Sequence, residues 1–519
     1  MAEKKLKRLP LGISDFRKII ENKSVYVDKT HLIYQMITSS DYYFLSRPRR
    51  FGKSLLISTL AELFAGNKEL FKDLWIADSD YSWPKHPIIR FDFSVIGNRT
   101  IDDLKTNIHV RLDTIAHEYN INLSHYPTID SKFQALITHA AKTNKVVILI
   151  DEYDKPILDH IENPEEAKAQ REVLKSLYSV IKGSDQYLRF VLLTGVSKFA
   201  KTSIFSGINN LRDISLSEQY DTLLGYTHNE LVHNFTPHLD HLVPTIEPTI
   251  EKVVAHITMQ YDGYCFAKNG KLMLNPYSVL TCLTEHALGN YWFQTGTPTF
   301  LIKLLQKNNY RPEALISPVL NEQSLGSFEP DHIPLSALLF QTGYLTIKDY
   351  DRKTNNYTLG IPNREVNSGL TINLADAFTQ LSPDESIEYA QLICETFVNN
   401  NMTNLQKKLQ EFFNRMPYTV HVTDESKLQF VLYAIFALIG VTVDPEVTTS
   451  LGRADLIVSF PKLVYVIELK FNKSAQEALV QIQDKKYYEK YENTGKKITL
   501  LGINFDSATK TISLESQPL

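Results

Sequence analysis

The chain has 519 residues, of which 43% are hydrophobic and 22% are charged, and its formal net charge is −4. This balance is typical of a soluble globular protein of about three domains, and it excludes collagen-like chains, low-complexity chains and proteins that are basic throughout. Its 3 cysteines (Cys265, Cys282 and Cys394) are too few and too far apart for a disulfide scaffold or a cysteine-based zinc site, which favours a reducing compartment.

The first 225 residues alternate predicted strands with predicted helices. A short β-type run at Tyr42–Leu45 precedes a basic turn, and helical leucine spacing follows at Lys53–Phe64. Further apolar runs are typical of strands covered on both faces, and they lie at Ile88–Phe93, Val146–Ile150 and Phe190–Leu193. Alternation of this kind predicts a parallel α/β domain over residues 1–225.

The rest of the chain is predicted to contain helices, a small wing and a second α/β domain. In residues 226–370, a helix followed by two strands around the polar turn Asp349–Asn356 indicates a winged-helix-like unit. Residues 371–424 are predicted as a helical connector. The domain 425–519 is predicted to have a long helix followed by strands and a helix at Val441–Thr448, Ala454–Val458, Leu463–Leu469, Ala475–Tyr491 and Ile498–Ile503.

Nothing in the sequence indicates a membrane segment. The basic start is not followed by an apolar stretch, and the longest apolar run, Val431–Val443, has 13 residues and is too short to span a bilayer. We therefore expect a cytoplasmic protein without a membrane partner.

A phosphate-binding loop is predicted between the first strand and the helix that follows it. The segment Arg47–Ser54 ends in Gly52, Lys53 and Ser54, which match the last three positions of the pattern GxxxxGK[ST]. Lys53 is expected to reach the β- and γ-phosphates of ATP, and Ser54 to bind Mg²⁺. Arg47 replaces the first glycine, while Arg49 and Arg50 add positive charge for nucleotide binding. A basic surface loop capped by a helix is the alternative interpretation.

A second motif supports nucleotide binding. The apolar strand Val146–Ile150 ends in Asp151 and Glu152, as in a Walker B motif, so Asp151 is expected to hold Mg²⁺ and Glu152 to activate the attacking water. An acidic helix cap is the alternative. Thr194 or Ser197, after the next strand, is predicted to sense the γ-phosphate. Arg212 is predicted either as an arginine finger or as a structural ion-pairing residue.

These motifs resemble the AAA-ATPase-like proteins that carry a PD-(D/E)XK nuclease-like domain at the C-terminus. The resemblance spans nearly the whole chain and lies in the segments 12–16, 26–30, 47–54, 151–154, 261–264, 275–278 and 342–346. In that family an arginine in place of the first glycine is the usual form. The resemblance implies an ATP-binding module of the AAA/STAND kind, found mostly in bacteria, without a settled substrate.

The last hundred residues contain a candidate metal site. Asp455 is predicted to lie on a strand next to the one that carries Glu468, and Lys470 lies two residues further, on the same strand face as Glu468. Two carboxylates and a lysine in this pattern are typical of Mg²⁺-dependent phosphodiesterases. Glu446 on the preceding strand is a candidate additional ligand, and Gln481 on the next helix a candidate supporting residue. A solvated hairpin with an exposed Glu468–Lys470 ion pair is the alternative.

The fold class predicted from these features is α/β, with an N-terminal P-loop domain of the AAA/STAND kind, a helical and winged-helix-like middle, and a PD-(D/E)XK-like C-terminal domain. The predicted function is an ATPase coupled to a nuclease, with ATP and Mg²⁺ as cofactors and DNA or RNA as partner; a homo-oligomer is compatible with the sequence. Two alternatives stay open at this point: a STAND-type switch whose C-terminal domain binds without cleaving, and a winged-helix DNA-binding regulator.

Overall fold

A computed structural model of the chain shows two compact units. It describes residues 6–199, 204–205, 210–243, 245–294, 317–326, 334–417, 422–439, 442–449 and 452–519, and of residues 294, 326, 442, 444–449 and 452–453 it describes the backbone alone. The first unit comprises Met1–Gln294 and Val319–Glu365, and the second contains Val366–Leu519. The predicted domain boundaries at residues 225, 370 and 424 stay predictions.

The first unit is built on a five-stranded sheet in which all strands are parallel. In space the strands follow the order β2-β3-β4-β1-β5. Their bounds are Tyr42–Ser46 (β1), Ile88–Asp92 (β2), Val146–Asp151 (β3), Leu188–Gly195 (β4) and Arg212–Asp213 (β5). Every residue of β3 is buried, as expected for a parallel strand covered by helices on both faces. The predicted α/β fold class is confirmed, and β5 is a strand that the sequence pattern did not indicate.

The helices of the first unit cover this sheet and extend beyond it. The helix α3 begins directly after the loop that follows β1, and the first turn of the next long helices is capped by Thr100, Thr128 and Asn163. Their bounds are Phe16–Glu21 (α1), Thr30–Ser39 (α2), Lys53–Phe64 (α3), Ile101–Glu118 (α4), Ile129–Ala140 (α5), Lys155–Leu158 (α6), Pro164–Gly183 (α7), His228–Asp240 (α8), Ile250–Tyr261 (α9), Pro276–Glu285 (α10) and Tyr291–Gln294 (α11).

The remainder of the first unit is a helix with a small antiparallel sheet, as predicted for a winged-helix-like unit. Three strands pair in the order β6-β8-β7, and the wing turn joins β7 to β8. The bounds are Val319–Asn321 (β6), Glu322–Gly326 (α12), Leu335–Thr342 (α13), Thr346–Asp351 (β7) and Asn356–Gly360 (β8). Helix α13 ends at Gly343, whose φ of 94° is the left-handed conformation that glycine adopts without strain.

The second unit packs helices against a five-stranded mixed sheet. The strand order is β13-β12-β11-β10-β9, and β11 pairs with β12 in parallel while the other pairs are antiparallel. The strands are Thr442–Thr449 (β9), Gly452–Ser459 (β10), Leu463–Phe471 (β11), Lys497–Asp506 (β12) and Thr511–Pro518 (β13). The helices are Arg364–Thr379 (α14), Pro383–Val398 (α15), Met402–Arg415 (α16), Glu425–Ala437 (α17) and Ala475–Lys485 (α18).

One helix prediction in this unit is wrong at its end. The predicted helix Ala475–Tyr491 stops at Lys485, because Lys486 adopts a left-handed φ of 48°, and a short 3₁₀ helix follows at Glu489–Thr494. Helix α18 connects the parallel strands β11 and β12, and it lies very close to β12 at Gly502. A Cβ atom at Gly502 would stand 2.2 Å from the carbonyl oxygen of Ala475, so only glycine allows this packing.

Candidate functional site

The loop between β1 and α3 leads directly into the first turn of that helix. It runs from Arg47 to Gly52, and its turn into α3 passes through left-handed φ angles of 68° at Arg50 and 97° at Gly52. Glycine at the second of these positions avoids the strain that a Cβ atom would bring. The first backbone N–H groups of α3 have no helical partner, so this helix start can receive an anion.

Lys53 is folded back onto the loop. It is buried, and its Nζ donates to the carbonyl oxygens of Arg47, at 2.8 Å, and Pro48, at 3.0 Å. Burial lowers the pKa of Lys53, while the carboxylates of Asp151 and Glu152 act in the opposite direction. The lysine therefore has an internal set of acceptors.

The three loop arginines have different environments. Arg47 is only 2% exposed, its guanidinium lies 4.2 Å from the ring centroid of Phe266, and it donates to the carbonyl oxygen of Ser215 at 2.6 Å. The charge of Arg47 therefore lies inside the fold and not on the surface of the loop. Arg49 and Arg50 are exposed, and Arg50 lies 4.8 Å from the ring centroid of Tyr277.

The end of β3 and the end of β4 bring the second motif together. Because β4 lies between β1 and β3, the Oγ1 of Thr194 reaches the Oδ1 of Asp151 and donates to it at 2.6 Å. Glu152 follows with a left-handed φ of 52° and is partly buried, and burial raises its pKa while Lys53 opposes the rise. Carboxyl ends of parallel strands are where open α/β sheets bind ligands, so these residues share one edge with the phosphate loop.

Hydrogen bonds between Asp154 and Ser197 connect the segments that follow β3 and β4. The carboxylate of Asp154 is buried and accepts from the backbone N–H and the hydroxyl of Ser197, both at 2.6 Å. A Cβ atom at Gly195 would lie 2.5 Å from Asp154, so glycine is required there. Ser197, one of two predicted sensors, is thus engaged by Asp154, whereas Thr194 contacts Asp151. This structural role of Asp154 was not predicted, although Asp154 belongs to the same Asp-Glu-Tyr-Asp segment as Asp151 and Glu152.

The two remaining predicted site residues of the first unit are Ser54 and Arg212. Ser54 is the second residue of α3 and partly exposed. Arg212 lies on the edge strand β5 and donates to the Oε1 of Gln219 at 3.0 Å, with its guanidinium 5.6 Å from the ring centroid of Tyr220. These contacts belong to the outer edge of the sheet, and none of the described contacts of Arg212 is with the phosphate loop.

An apolar cavity opens beside Gly52. It has a volume of about 80 Å³, which is small compared with typical small-molecule pockets. It lies between the N-terminal segment, α3 and the chain that precedes α8. The lining includes Val25, Tyr26, Val27, Leu55, Leu223 and Tyr226, and Lys29 and Thr59 contribute polar groups.

The carboxylates of the second unit stand in one row across the sheet. Leu456 of β10 pairs with Ile467 of β11, so the antiparallel register places Asp455 opposite Glu468. On its other side Asp455 falls opposite Glu446 of β9, because Ala454 and Leu456 pair with Val447 and Pro445. The side chain of Glu446 lies outside the described residues.

Glu468 and Lys470 are buried, and Asp455 beside them is partly buried. The Oδ2 of Asp455 accepts from the backbone N–H of Leu469 at 2.7 Å, and the Nζ of Lys470 lies 2.9 Å from the Oε1 of Glu468. Burial, and then the charge of Glu468, raise the pKa of Asp455 well above its usual range. Burial raises the pKa of Glu468 as well, although Lys470 opposes it. For Lys470 itself burial lowers the pKa, but pairing with Glu468 outweighs this and the net shift is upward.

Other side chains surround this row. Gln429 of α17 is buried and donates to the carbonyl oxygen of Asp455 at 2.9 Å. Glu425, one helical turn earlier, acts on the pKa values of all three site residues. The Nε2 of Gln481 donates to the hydroxyl of Tyr487 at 3.2 Å, and the pKa of Tyr487 is raised by burial and further by Glu468. Glu425 and Gln429 are four residues apart and therefore lie on one face of α17. This spacing could have indicated that the helix contributes to the site, but the contribution was not predicted.

The donor set of this row fits a hard divalent cation. The Oε2 of Glu468 is buried and has no hydrogen-bond partner among the described residues, which leaves a carboxylate oxygen in need of a positive charge. Carboxylate oxygens are the ligands that Mg²⁺ prefers. Within the described part of the chain, no three His, Cys, Asp or Glu side chains come close enough to form a complete metal cluster. The described donors are therefore Asp455 and Glu468.

Comparison with known proteins agrees with this division of the chain. The family described as "Predicted AAA-ATPase" matches residues 10–205, and the PD-(D/E)XK nuclease superfamily matches residues 423–515. An Azotobacter chroococcum mcd 1 protein, described as "Uncharacterized protein in vnfD 5'region", is 38% identical over 519 residues and is covered, like this chain, to 98%. The chain belongs to the AAA-ATPase-like family with a C-terminal PD-(D/E)XK nuclease superfamily domain.

Among solved structures, this AAA-ATPase-like chain is similar to the Aeropyrum pernix ORC2 protein, solved as ADPNP-ADP complexes. The alignment covers 64% of this chain and 87% of that chain, with 12% identity and a TM-score of 0.25. None of the described helices has both the length and the apolar character that crossing a bilayer requires.

Proposed function

We propose that this protein is an ATPase whose nucleotide state governs a metal-dependent nuclease in the same chain. The observation that carries the proposal is the buried, unpartnered Oε2 of Glu468, in register with Asp455 and two residues before Lys470. Buried carboxylates that stand opposite each other repel, and a structural ion pair with Lys470 alone would leave this repulsion in place. A cation between them removes it.

In the proposed nuclease reaction each residue has a separate task. Asp455 and Glu468 hold Mg²⁺, which when bound polarises the phosphodiester and makes a bound water more acidic. Asp455 is kept in place by the backbone N–H of Leu469, and Gln429 fixes the strand that carries it. Lys470 contributes a positive charge beside the phosphate oxygen on which negative charge accumulates. Glu446 is proposed as an additional ligand, and Gln481 as a contact to the nucleic-acid backbone.

The proposed ATPase reaction uses the edge shared by β1, β3 and β4. Lys53, with Arg49 and Arg50, binds the phosphates of ATP. Ser54 and Asp151 hold Mg²⁺, and Thr194 orients Asp151 through its 2.6 Å hydrogen bond. Glu152 is a stronger base than an exposed glutamate because burial raises its pKa, which suits removal of a proton from the attacking water.

The test of the nuclease uses supercoiled DNA and a single-stranded RNA with Mg²⁺. Asp455→Asn is expected to remove Mg²⁺-dependent cleavage while the fold stays intact, because the change is nearly isosteric. Asp484→Asn, at an exposed carboxylate of α18, is the matched control and should cleave like the wild type. Equal cleavage by Asp455→Asn and the wild type would refute this site.

A STAND-type switch is the second candidate. It is favoured by one observation: the winged-helix-like part packs on the phosphate loop, where a Cβ atom at Gly343 would lie 2.7 Å from the Cβ of Pro48. In such a switch ATP is bound and hydrolysed slowly, and the C-terminal domain binds nucleic acid without cutting it. Tight ATP and DNA binding without cleavage at any Mg²⁺ or Mn²⁺ concentration would select this candidate.

A further inference from the structure

The phosphate loop is held from outside by a tryptophan far along the chain. The indole Nε1 of Trp292, in α11, donates to the carbonyl oxygen of Arg49 at 3.2 Å. The Trp292 ring is packed edge-on against Tyr344, with 5.1 Å between ring centroids, so its direction is fixed. Arg49 lies in the middle of the loop, between the two carbonyls that accept from Lys53 and the left-handed turn. The indole therefore forms a hydrogen bond to the part of the loop whose conformation determines which groups can hydrogen-bond to phosphate oxygens.

The backbone of the same tryptophan is bonded to a buried carboxyl group. The Oε1 of Glu365 accepts from the backbone N–H of Trp292 at 2.8 Å, and its Oε2 accepts from the hydroxyl of Ser278 at 2.8 Å. Glu365 has no exposed surface. The titratable groups that face it are Tyr261 of α9, Tyr264, Cys282 of α10 and Tyr291 of α11, and none of these is a cation.

Burying a carboxyl group without a cationic partner is costly, and burial raises the pKa of Glu365 to about 7. Groups in such environments occur more often at functional sites than elsewhere. Glu365 is also the second residue of α14, and that helix continues through Thr379 into the second unit. One carboxyl group thus joins the residue that holds the loop to the helix that leaves the first unit.

We propose that Trp292 and Glu365 are positioning residues that hold the phosphate loop in its nucleotide-binding shape and pass its movement to α14. The proposal rests on the proposed ATP binding of the loop. Neither residue touches the nucleotide. Trp292 acts through the Arg49 carbonyl, and Glu365 acts through the Trp292 backbone. A packing role alone would change the stability of the protein without changing its ATP affinity or the environment of the indole.

The first experiment uses Trp292 as its own reporter. The chain has 3 tryptophans, so the double variant Trp75→Phe/Trp83→Phe leaves Trp292 as the single tryptophan of the full-length protein, and its emission is excited selectively over that of the tyrosines. ATP is titrated while emission is followed, and binding is measured in parallel by calorimetry. We expect a saturable change in emission whose midpoint equals the calorimetric Kd, and no change in the Lys53→Ala background.

The outcomes separate the two claims. If calorimetry detects no ATP binding, the proposed function fails and this inference falls with it. If ATP binds and the emission of Trp292 stays constant, the proposed function stands, and the proposed role of Trp292 and Glu365 in holding the loop is wrong.

The second experiment tests the relay by substitution. Trp292→Phe keeps an aromatic ring and removes the indole donor, so the Arg49 carbonyl loses its partner; the ATP Kd is expected to rise about 5- to 20-fold. Glu365→Ala should weaken ATP binding similarly, and Glu365→Gln, whose amide oxygen still accepts from Trp292, should restore most of the affinity. Trp75→Phe, at a half-exposed tryptophan, is the matched control and should leave the Kd unchanged.

If Glu365→Ala does not fold, Trp292→Phe and Glu365→Gln still decide the question. An ATP Kd in Trp292→Phe equal to that of the wild type would overturn the proposal, whatever happens to the melting temperature.

Discussion

The two candidate sites treat their buried charges in opposite ways. In the first unit, Lys53 is buried but satisfied, because two carbonyls of its own loop accept its protons. In the second unit, the Oε2 of Glu468 is buried and unpartnered, opposite another carboxylate. The first site is therefore stable without a ligand, and a ligand has to compete with internal hydrogen bonds. The second site carries an electrostatic cost that a cation would relieve.

Among the substitutions that test this difference, the largest effect, on metal affinity, is expected from Glu468→Gln. Metal affinity should fall more than about 100-fold, since even outer-shell partners of metal ligands account for 10–100-fold. Without metal, Asp455→Asn should be more stable than the wild type, because it removes one of the two facing carboxylates and leaves the Glu468–Lys470 ion pair in place. Mn²⁺ calorimetry and urea unfolding measure the two effects, with Asp484→Asn as the control. A variant that binds Mn²⁺ normally would remove Glu468 from the site.

The corresponding change in the first unit is Lys53→Ala. We expect ATP affinity to drop about 100-fold, because charged hydrogen bonds to the phosphates are lost. Glu152→Gln is the matched comparison: it should bind ATP like the wild type and hydrolyse it about 10² to 10⁴ times more slowly. Calorimetry and phosphate release distinguish the two. Equal ATP affinity in Lys53→Ala and wild type would end the P-loop interpretation.

A third prediction concerns Glu365, whose pKa burial raises from its ordinary value of 4.5 to about 7 in the folded protein. The folded state binds the extra proton between these values, so the stability of the wild type should fall as the pH rises from about 4.5 to about 7. A shift of this size corresponds to about 2–4 kcal/mol, since one pKa unit is 1.36 kcal/mol.

Glu365→Gln has no such proton to lose. Its unfolding free energy should therefore depend less on pH over this range, and at pH 8 it should equal or exceed that of the wild type. Urea unfolding of both proteins at pH 5 and pH 8 measures this. Parallel pH profiles would show that Glu365 does not titrate in the folded protein.

The smallest effect is expected from Thr194→Val. The variant loses the 2.6 Å hydrogen bond to Asp151, but the Asp151 carboxylate keeps its bond from the backbone N–H of Glu152 at 3.1 Å. ATP hydrolysis should slow about 5- to 20-fold, which corresponds to about 1–2 kcal/mol, because Asp151 keeps its other hydrogen bond. Ser197→Ala removes a hydrogen bond to Asp154 instead, so it distinguishes the contribution of Asp154 from that of Asp151. A larger effect from Ser197→Ala on ATP turnover would make Asp154 the more important carboxylate.

Local features of both sites could be predicted from the sequence. The loop before α3 was predicted because glycine, lysine and serine stand between a strand and a helix. The pairing of Asp455 with Glu468 followed from a hairpin at Pro461 and the two-residue period of strands. The roles of the site residues stay predictions, but their placement in one row needed no tertiary information.

The long-range contacts could not be predicted. Nothing near Arg47 indicates that its guanidinium stacks on Phe266, more than 200 residues away. The position of β4 between β1 and β3, which lets Thr194 reach Asp151, depends on the order of strands in the sheet and not on local pattern. The Trp292 contact to the phosphate loop likewise arises from packing between distant segments.

The central claim is that a metal-dependent nuclease in the second unit responds to ATP in the first. It is tested most directly by cleavage of supercoiled plasmid with Mg²⁺, with and without ATP, by the wild type, Glu468→Gln and Lys53→Ala. We predict that the wild type cleaves and that ATP changes its rate about 5- to 150-fold, a coupling of about 1–3 kcal/mol. Lys53→Ala should cleave without responding to ATP, and Glu468→Gln should not cleave. Cleavage by Glu468→Gln at the wild-type rate, or an unchanged ATP response in Lys53→Ala, would contradict the account.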